Sequence, residues 1–476
     1  MKSMGDWIAA CEEEGEIHRI KGEVDWNLEM LHIARLNESK KGPALLFENV
    51  KGYDIPVLAS AFTTPKRLAI TLGMPTNYTM CRMSRSWMEK TTKGTLVKPV
   101  EVKDNIPVKE QIVEGDKINV FDFPVPQLYP QDGGRYIGTT GYLVTSDPDS
   151  GWTNLGTYRM QALDEKSVGI QILPGKHAEF HVKKYQKMGK KAPAAAVIGC
   201  DPLHFLVSST MVSADVDEYD VIGALRGEPV EIFKSDLTGL KLPANAEIIL
   251  EGEIDPEDLR PEGPFGEYTG YYSGKSKAAL PKVWLNVKRI LRRKKPTFWM
   301  TSVGPPVGEH HMIQSLNRTA TLWSDLEAMH LPGIQSVYCP YEATGRFWVI
   351  VSIKTMYPGH ANQVGHAVIA TTTGHYGVKG VIVVDDDIPA DDLTGVWWSL
   401  SVRYNAVQDT DIVRRARSTI LDPSLPIDAR EIVSQIIMDA TIPYEWKEKP
   451  TKIVLDEAVK NRVISRWQEY GFPEPY

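Results

Sequence analysis

Between residues 97 and 130 the chain carries five prolines, Pro99, Pro107, Pro124, Pro126 and Pro130. Proline has no amide proton and a fixed φ, so no long helix and no central strand can pass through this stretch. It reads as a crossing between folding units. At roughly 100–200 residues per domain, a chain of 476 residues holds more than one core and needs no disulfides or metals merely to fold. The texture differs on the two sides of the crossing, and three units are expected, over 1–114, 115–305 and 306–476.

The first unit opens with helices over 3–14 and 27–37, then short strands over 44–48 and 55–61 and a helix beginning at Pro65. In the second, short β-type runs over 137–145, 153–162, 168–173, 194–199, 247–254 and 282–290 are separated by Gly, Pro, Asp or Asn. Such runs predict a largely antiparallel sheet closing into a barrel, with helical inserts over 178–187 and 218–225. From Gly308 onward strands alternate with helices: a helix over 312–331, strands over 336–339 and 347–353, a helix over 360–371 and a strand over 380–384. That alternation indicates an α/β unit. Asp385, Asp386 and Asp387 follow the last strand and serve either a metal or the capping of the next turn. After Pro443 the tail reads as polar and helical, packing on a neighbour. The expected class is thus a mixed α+β and α/β multidomain chain, with a central antiparallel barrel flanked by an α/β unit on each side.

The charge balance excludes several functions. Fifty-four basic against 61 acidic side chains give a net charge of −7, which offers phosphate no bulk attraction and argues against a nucleic acid partner. Cys11, Cys81, Cys200 and Cys339 form no Cys-x-x-Cys pair and read as reduced core thiols. Residues 1–15 carry Asp6 and a Glu12–Glu14 run where a secretory signal needs a basic start and an apolar stretch. No apolar run approaches the ~18–20 residues of a membrane span. A cytoplasmic enzyme without membrane association is expected. Gly-x-Gly-x-x-Gly after a strand, Gly-x-Ser-x-Gly and His-Glu-x-x-His are all absent, and residues 270–276 miss P-loop spacing by one residue with Pro281 behind them.

Chemistry must therefore come from dispersed segments. In Thr153-Asn154-Leu155-Gly156-Thr157-Tyr158-Arg159, an arginine can fork onto an anion and an asparagine can offer its carbonyl oxygen to a metal. Strict alternation puts positions 154 and 159 on opposite faces, so a shared site requires a bulge, with Gly156 the obvious place. Otherwise the segment is an edge strand with solvated polar groups. His177 follows the Pro174-Gly175 turn, placed either to enter a cleft or to serve structure. Val207-Ser208-Ser209-Thr210-Met211 followed by Glu218 suits a hard cation, or is a serine-rich turn leading to a helix. The most informative segment runs from Arg260 to Tyr272 and holds Glu262 and Glu267 in a loop of glycine, proline and aromatic residues. A carboxylate beside Arg159 stays ionised, whereas one buried against aromatics has a raised pKa and delivers a proton.

Together these segments resemble the UbiD family of reversible decarboxylases. The resemblance rests on Asn154 to Arg159, Lys176-His177, Ser208-Ser209, Glu218 before Gly223-Ala224, Glu262 to Tyr271, and Val383-Val384-Asp385-Asp386-Asp387. They run in the family's order over essentially the whole chain, with most likeness to the phenolic acid (vanillate, hydroxybenzoate, protocatechuate) decarboxylases. The resemblance implies prenylated FMN, supplied by a flavin prenyltransferase, in contact with Asn154, Thr157, Tyr158, Arg159, Gln171, Ile172, Leu173, Lys176, His177 and Glu218. It implies Mn2+ on Asn154, His177 and Glu218, and K+ or Na+ on Val207, Ser208, Thr210 and Glu218. Arg159, Glu262 and Glu267 match the family's catalytic network. His310, His311 and Ile313 fall where its substrate pocket begins, with His366 and His375 as weaker candidates. The middle unit would be a flavin-binding split barrel and the C-terminal one an oligomerisation domain, in a homodimer or homohexamer. The expected reaction is reversible, non-oxidative loss of CO2 from a small aromatic or heteroaromatic, phenolic acid, with Arg159 holding the carboxylate and Glu267 donating the proton. An aryl carbanion has no sink of its own, so a cofactor must take the electrons. The alternatives are a physiological carboxylase, a decarboxylase of a polycyclic acid or aromatic thioester on the same scaffold, and a non-catalytic assembly subunit.

Overall fold

The middle of the chain forms one sheet of nine strands. In the computed structural model, which describes residues 1–210, 212–272 and 279–472, the order begins at Tyr136–Gly138, Met160–Asp164, Ser167–Ile170 and Trp284–Arg292. It continues through Ile248–Ile254, Ala192–Ile198 and Tyr142–Ser146 to Thr153–Thr157, with Gln111–Glu114 also paired to Trp284–Arg292. Every pairing is antiparallel, as expected.

The expected closure into a barrel is not what the pairing shows. Among the described residues the path ends at Thr153–Thr157 without returning to Tyr136–Gly138. A physical reason lies at that last strand, whose outward amides are taken by side chains. Asp217 accepts from Thr153 N at 2.8 Å and Glu218 accepts from Leu155 N at 2.9 Å. Both carboxylates stand where the helix Glu218–Arg226 begins, so a helix end caps the edge in place of another strand.

Two of the expected strands are each broken in two. The run over 137–145 divides at Thr139 and Thr140, whose hydroxyls bond Thr301 N and Trp299 O. The run over 153–162 divides at Tyr158 and Arg159, and not at Gly156, which stays within its strand. A Cβ on Gly156 would lie 2.5 Å from the Tyr158 ring. Glycine here is the floor on which that ring folds back. The break releases Arg159 from strand alternation, which the argument from a bulge required of Gly156 instead. The Ser208 segment is the end of the helix Pro202–Ser208 and not a free turn, while Met211 and residues 273–278 lie outside the described residues.

Flanking sheets frame this one. Ile17–Ile20, Ala44–Phe47 and Val57–Ala59 are joined by Phe298–Trp299, which returns from the middle of the chain. The helix Pro65–Leu72 is capped by Thr64, begins on Pro65 and stops at Gly73 in the left-handed region, φ 61°. In the C-terminal part, Gly380–Asp385 lies parallel between Trp348–Ile353 and Ile432–Ala440, with Ile334–Tyr338 and Thr410–Arg417 at the edges. Asp385 and Asp387 both accept from Arg403, and Asp385 also accepts from Ile442 N. This is the structural alternative for the Asp385–Asp387 run. The tail corrects its expected polarity: Ile453, Val454 and Leu455 are 97%, 74% and 75% exposed ahead of the helix Glu457–Ser465. No helix among the described residues is long and apolar enough to cross a membrane.

The ladder between Ile248–Ile254 and Trp284–Arg292 shifts register at Glu251/Gly252, where a Cβ on Gly252 would sit 1.9 Å from Asn286 O. Gly252→Ala is therefore expected to destabilise the protein by about 1–3 kcal/mol. An unchanged urea midpoint would show that the two strands can move apart freely.

Candidate active site

The site is organised around Arg159, freed by the strand break. Its Nε and Nη2 donate to the two Glu262 carboxylate oxygens at 2.8 Å each, and Nη1 donates to Glu267 Oε1 at 2.7 Å. Glu262 ends the short strand Arg260–Glu262 and is 1% exposed. A third donor, Tyr136 OH, reaches it at 3.1 Å. The Phe265 ring lies 5.0 Å from the guanidinium. Glu267 has one arginine contact where Glu262 has two. Burial raises its carboxyl above the ordinary value, Arg159 opposes this, and the Glu262 and Asp132 carboxylates reinforce it. The two acids thus share one guanidinium with unequal contacts, where the sequence reading set one beside Arg159 and the other against aromatic rings.

Several residues that the sequence did not reveal hold the loop in place. Asp132 accepts from Gly266 N at 2.9 Å, Tyr129 N at 3.1 Å and Tyr272 OH at 2.9 Å. Gln161 accepts from Gly263 N at 2.8 Å. Gly133 donates to Pro264 O at 2.7 Å, and its bare Cα is needed, because a Cβ would lie 1.8 Å from Gly263 O. His311 accepts from Gly308 N on Nδ1 at 2.9 Å, so its proton is on Nε2, which donates to Tyr268 O at 2.7 Å. Both of its nitrogens are engaged within the protein, and the ring clamps the glutamate loop. His310 differs: its Nδ1 is out of solvent with no partner, and burial, then His311, lowers its pKa to about 4. Ile313 is buried. His366 and His375 are exposed.

The residues expected to hold a divalent cation come from three elements that meet around Trp152 and Tyr158. Asn154 lies on Thr153–Thr157, with Nδ2 out of solvent and unpartnered. Glu218 begins its helix, and burial pushes its carboxyl up to about 8 with no lysine or arginine paired to it among the described residues. His177 begins the helix His177–Lys187 with its ring edge-on to Trp152, centroids 4.8 Å apart. Trp152 Nε1 donates to Val216 O at 3.0 Å, tying that ring to the Glu218 segment. Tyr158 neighbours Asn154, Glu218 and the Ala178 backbone. Burial, then Lys176, keeps His177 below its ordinary value, in the neutral form that ligates metals. An amide, a neutral imidazole and a buried carboxylate lacking a counter-charge fit a cation. No cluster of three His, Cys, Asp or Glu is present among the described residues, so the amide oxygen is essential to any such set.

The remaining candidates are divided. Ser208 Oγ meets Thr157 Oγ1 at 2.9 Å, and Thr210 Oγ1 donates to Leu206 O and to Asn317. The Val207 carbonyl already accepts from Thr210 N at 2.9 Å, leaving one lone pair. The Gln171 backbone N–H donates to Arg159 O at 3.2 Å, and its side-chain Oε1 is out of solvent without a partner. Orphaned polar atoms on Asn154, Gln171 and His310 are what a polar bound group would satisfy. Ile172 is half-buried, and Leu173 and Lys176 are exposed. A separate cleft of about 1080 Å³, between the helix Met80–Lys93 and the strand Ile334–Tyr338, includes none of these side chains.

An acid–arginine–acid loop thus stands over an antiparallel sheet, and comparison with known proteins places the chain among the carboxy-lyases. Residues 8–87, 100–306 and 311–440 match the N-terminal, Rift-related and C-terminal domains of 3-octaprenyl-4-hydroxybenzoate carboxy-lyase. The chain belongs to the UbiD family. It is 34% identical over 430 residues, 87% of each chain, to an uncharacterized protein of Aquifex aeolicus (strain VF5). The open form of the vanillic acid decarboxylase of Sedimentibacter hydroxybenzoicus superposes with a TM-score of 0.87 at 31% identity, covering 99% of this chain and 98% of that one. The UbiD-class enzyme HmfF of Pelotomaculum thermopropionicum, solved with FMN, gives 0.86 at 29% identity, covering 96% and 98%.

The Glu218 carboxyl sets a pH test. Its folded value of about 8 stands above the ordinary 4.5, so the folded chain holds the proton more tightly and the stabilisation is complete only below about 4.5. Thermal melts of the metal-free protein are expected to show wild type losing stability relative to Glu218→Gln as pH rises toward about 8. A difference independent of pH would contradict the assignment.

Proposed function

We propose that this protein reversibly decarboxylates a small aromatic or heteroaromatic acid, of the phenolic kind, with prenylated FMN as cofactor. The observation that carries this reading is the hold on Arg159. A guanidinium has five N–H donors, and three of Arg159's are engaged by Glu262 and Glu267. The two left over, one on each terminal nitrogen, are free for the forked binding of a substrate carboxylate. Glu262 and Tyr136 keep the guanidinium from turning. As the bond to CO2 breaks, its electron pair stays on the ring carbon. Glu267, its carboxyl raised by burial, gives that carbon a proton and recovers one from solvent through its 17% exposed side chain. Prenylated FMN supplies the electron sink that no side chain of this chain provides.

The same reading puts Mn2+ on Asn154, His177 and Glu218, and K+ or Na+ on Val207, Ser208, Thr210 and Glu218. The amide, imidazole and uncompensated carboxylate around Tyr158 support the first assignment. His310, neutral and with Nδ1 unpartnered, would face a ring substituent. The central sheet would serve as a split-barrel flavin domain within the three-part division at 1–114, 115–305 and 306–476. The C-terminal part would build a homo-oligomer. Trp397, Trp398 and Val402, 67%, 42% and 60% exposed on the helix Leu393–Val402, support an assembly surface there. The cytoplasm, where a flavin prenyltransferase would load the chain, is the expected location.

The test is CO2 release from vanillate, 4-hydroxybenzoate, protocatechuate and the phenolic dicarboxylate 5-hydroxyisophthalate by protein co-expressed with a flavin prenyltransferase. Turnover is expected with at least one, and Glu267→Gln should lower kcat by about 100-fold or more while the flavin absorbance is kept. No release from any of these acids, or full turnover by the variant, would overturn the reading.

A further inference from the structure

Two arginines near this site have no anionic partner. Arg318 stands two turns after His311 on the helix Glu309–Ala328, and Arg346 precedes the strand Trp348–Ile353. Each is partly buried and keeps Nε out of solvent with no acceptor. Arg318 Nη2 donates to the carbonyls of Thr373 at 2.8 Å and Tyr376 at 3.3 Å. The Arg346 guanidinium lies over the Tyr376 ring, 4.6 Å from its centroid. Two glycines seat it. A Cβ on Gly377 would come within 2.8 Å of Arg346 Nε, and one on Gly345 would come within 2.5 Å of His311 O. The bare Gly345, with φ 68°, lets this segment close on the helix that carries His310 and Arg318.

The surroundings contain no compensating charge. Arg318 lies among Arg346, Cys339, Tyr268 and Tyr376; burial, then Arg346, draws its pKa down to about 10. Arg346 has the neutral hydroxyls of Tyr268 and Tyr376 as its side-chain hydrogen-bonding neighbours, and Lys176 lies within its reach. Neither arginine forms an ion pair among the described residues. Buried like charges without a carboxylate oppose folding, so the missing partner is a bound anion. Tyr268 follows Glu267 directly and its buried hydroxyl neighbours Arg346, which puts the pair at the proton-donor end of the site.

We propose that Arg318 and Arg346 form a second anion seat, and that the substrate is an aromatic acid with a second carboxylate, bound there while the first lies on Arg159. This rests on the decarboxylase reading and narrows it from aromatic acids to dicarboxylic ones. Sequence reading passed over both residues, since an arginine reads as a solvated position until its lack of an anionic partner is seen.

The test is equilibrium binding to the flavin-loaded protein of ligand pairs that differ by one carboxylate: 5-hydroxyisophthalate against 3-hydroxybenzoate, and terephthalate against benzoate. At least one dicarboxylate is expected to bind about 10-fold or more tightly than its partner. Arg318→Met and Arg346→Met should each erase that preference, leave monocarboxylate and flavin affinity unchanged, and raise the Tm of the ligand-free protein; Arg318→Lys should keep part of the preference. Equal affinity for both members of each pair in wild type overturns the inference alone, even if the variants fail to fold. Loss of flavin affinity in the methionine variants overturns it by assigning the cations to the flavin phosphate. Binding of no aromatic acid at all overturns the decarboxylase reading, and this inference with it.

Discussion

The forked pair between Arg159 and Glu262 is the interaction on which the site depends. Both side chains are largely out of water, so each ion is tolerated only because the other is there and because Tyr136 adds a third bond to the carboxylate. Breaking a buried pair by removing one partner costs about 3–5 kcal/mol, since it strands the other charge. The pair therefore fixes the guanidinium plane before any ligand arrives. Everything nearby serves that geometry: Asp132 and Gln161 anchor the loop from below, His311 clamps it at Tyr268, and Gly133 lets two backbones touch. Glu267 is left as the looser acid, on one contact.

This arrangement separates two tasks that one carboxylate cannot perform together. An acid tied by two charged hydrogen bonds holds its partner still. An acid with one such bond, its carboxyl raised by burial and still in reach of solvent, can carry a proton. The difference comes from chain geometry. Glu262 ends a strand whose partner, Leu280–Lys282, fixes its backbone, whereas Glu267 stands in a turn closed by Gly270 N on its carbonyl at 2.9 Å.

Much of this was legible in the sequence, and what was not has a physical explanation. The antiparallel middle, the α/β C-terminal part and the two glutamates were readable because alternation, proline density and paired acids are local signals. The break at Tyr158 was not, because it depends on a ring packing over Gly156, a contact between side chain and backbone that alternation does not encode. Barrel closure was overestimated for a similar reason. Period-two patterning reports that strands exist and says nothing of how an edge is finished. Asp132, Gln161, Arg318 and Arg346 stayed hidden because each acts through a partner, or lacks one, across a long stretch of chain. The strands Thr410–Arg417 and Ile432–Ala440 were also missed, the first because its three arginines mask its alternation.

The capped edge at Thr153–Thr157 has a consequence for solution behaviour. An uncovered outer strand is a template to which another extended chain can add, the usual beginning of aggregation. Here the two amides that such a chain would seek are already held by Asp217 and Glu218, and an incoming backbone would have to displace carboxylates with carbonyls. The residue proposed to hold a cation on one side thus closes the sheet to strand addition on the other, so that a single side chain would join the chemistry of the site to the solubility of the fold.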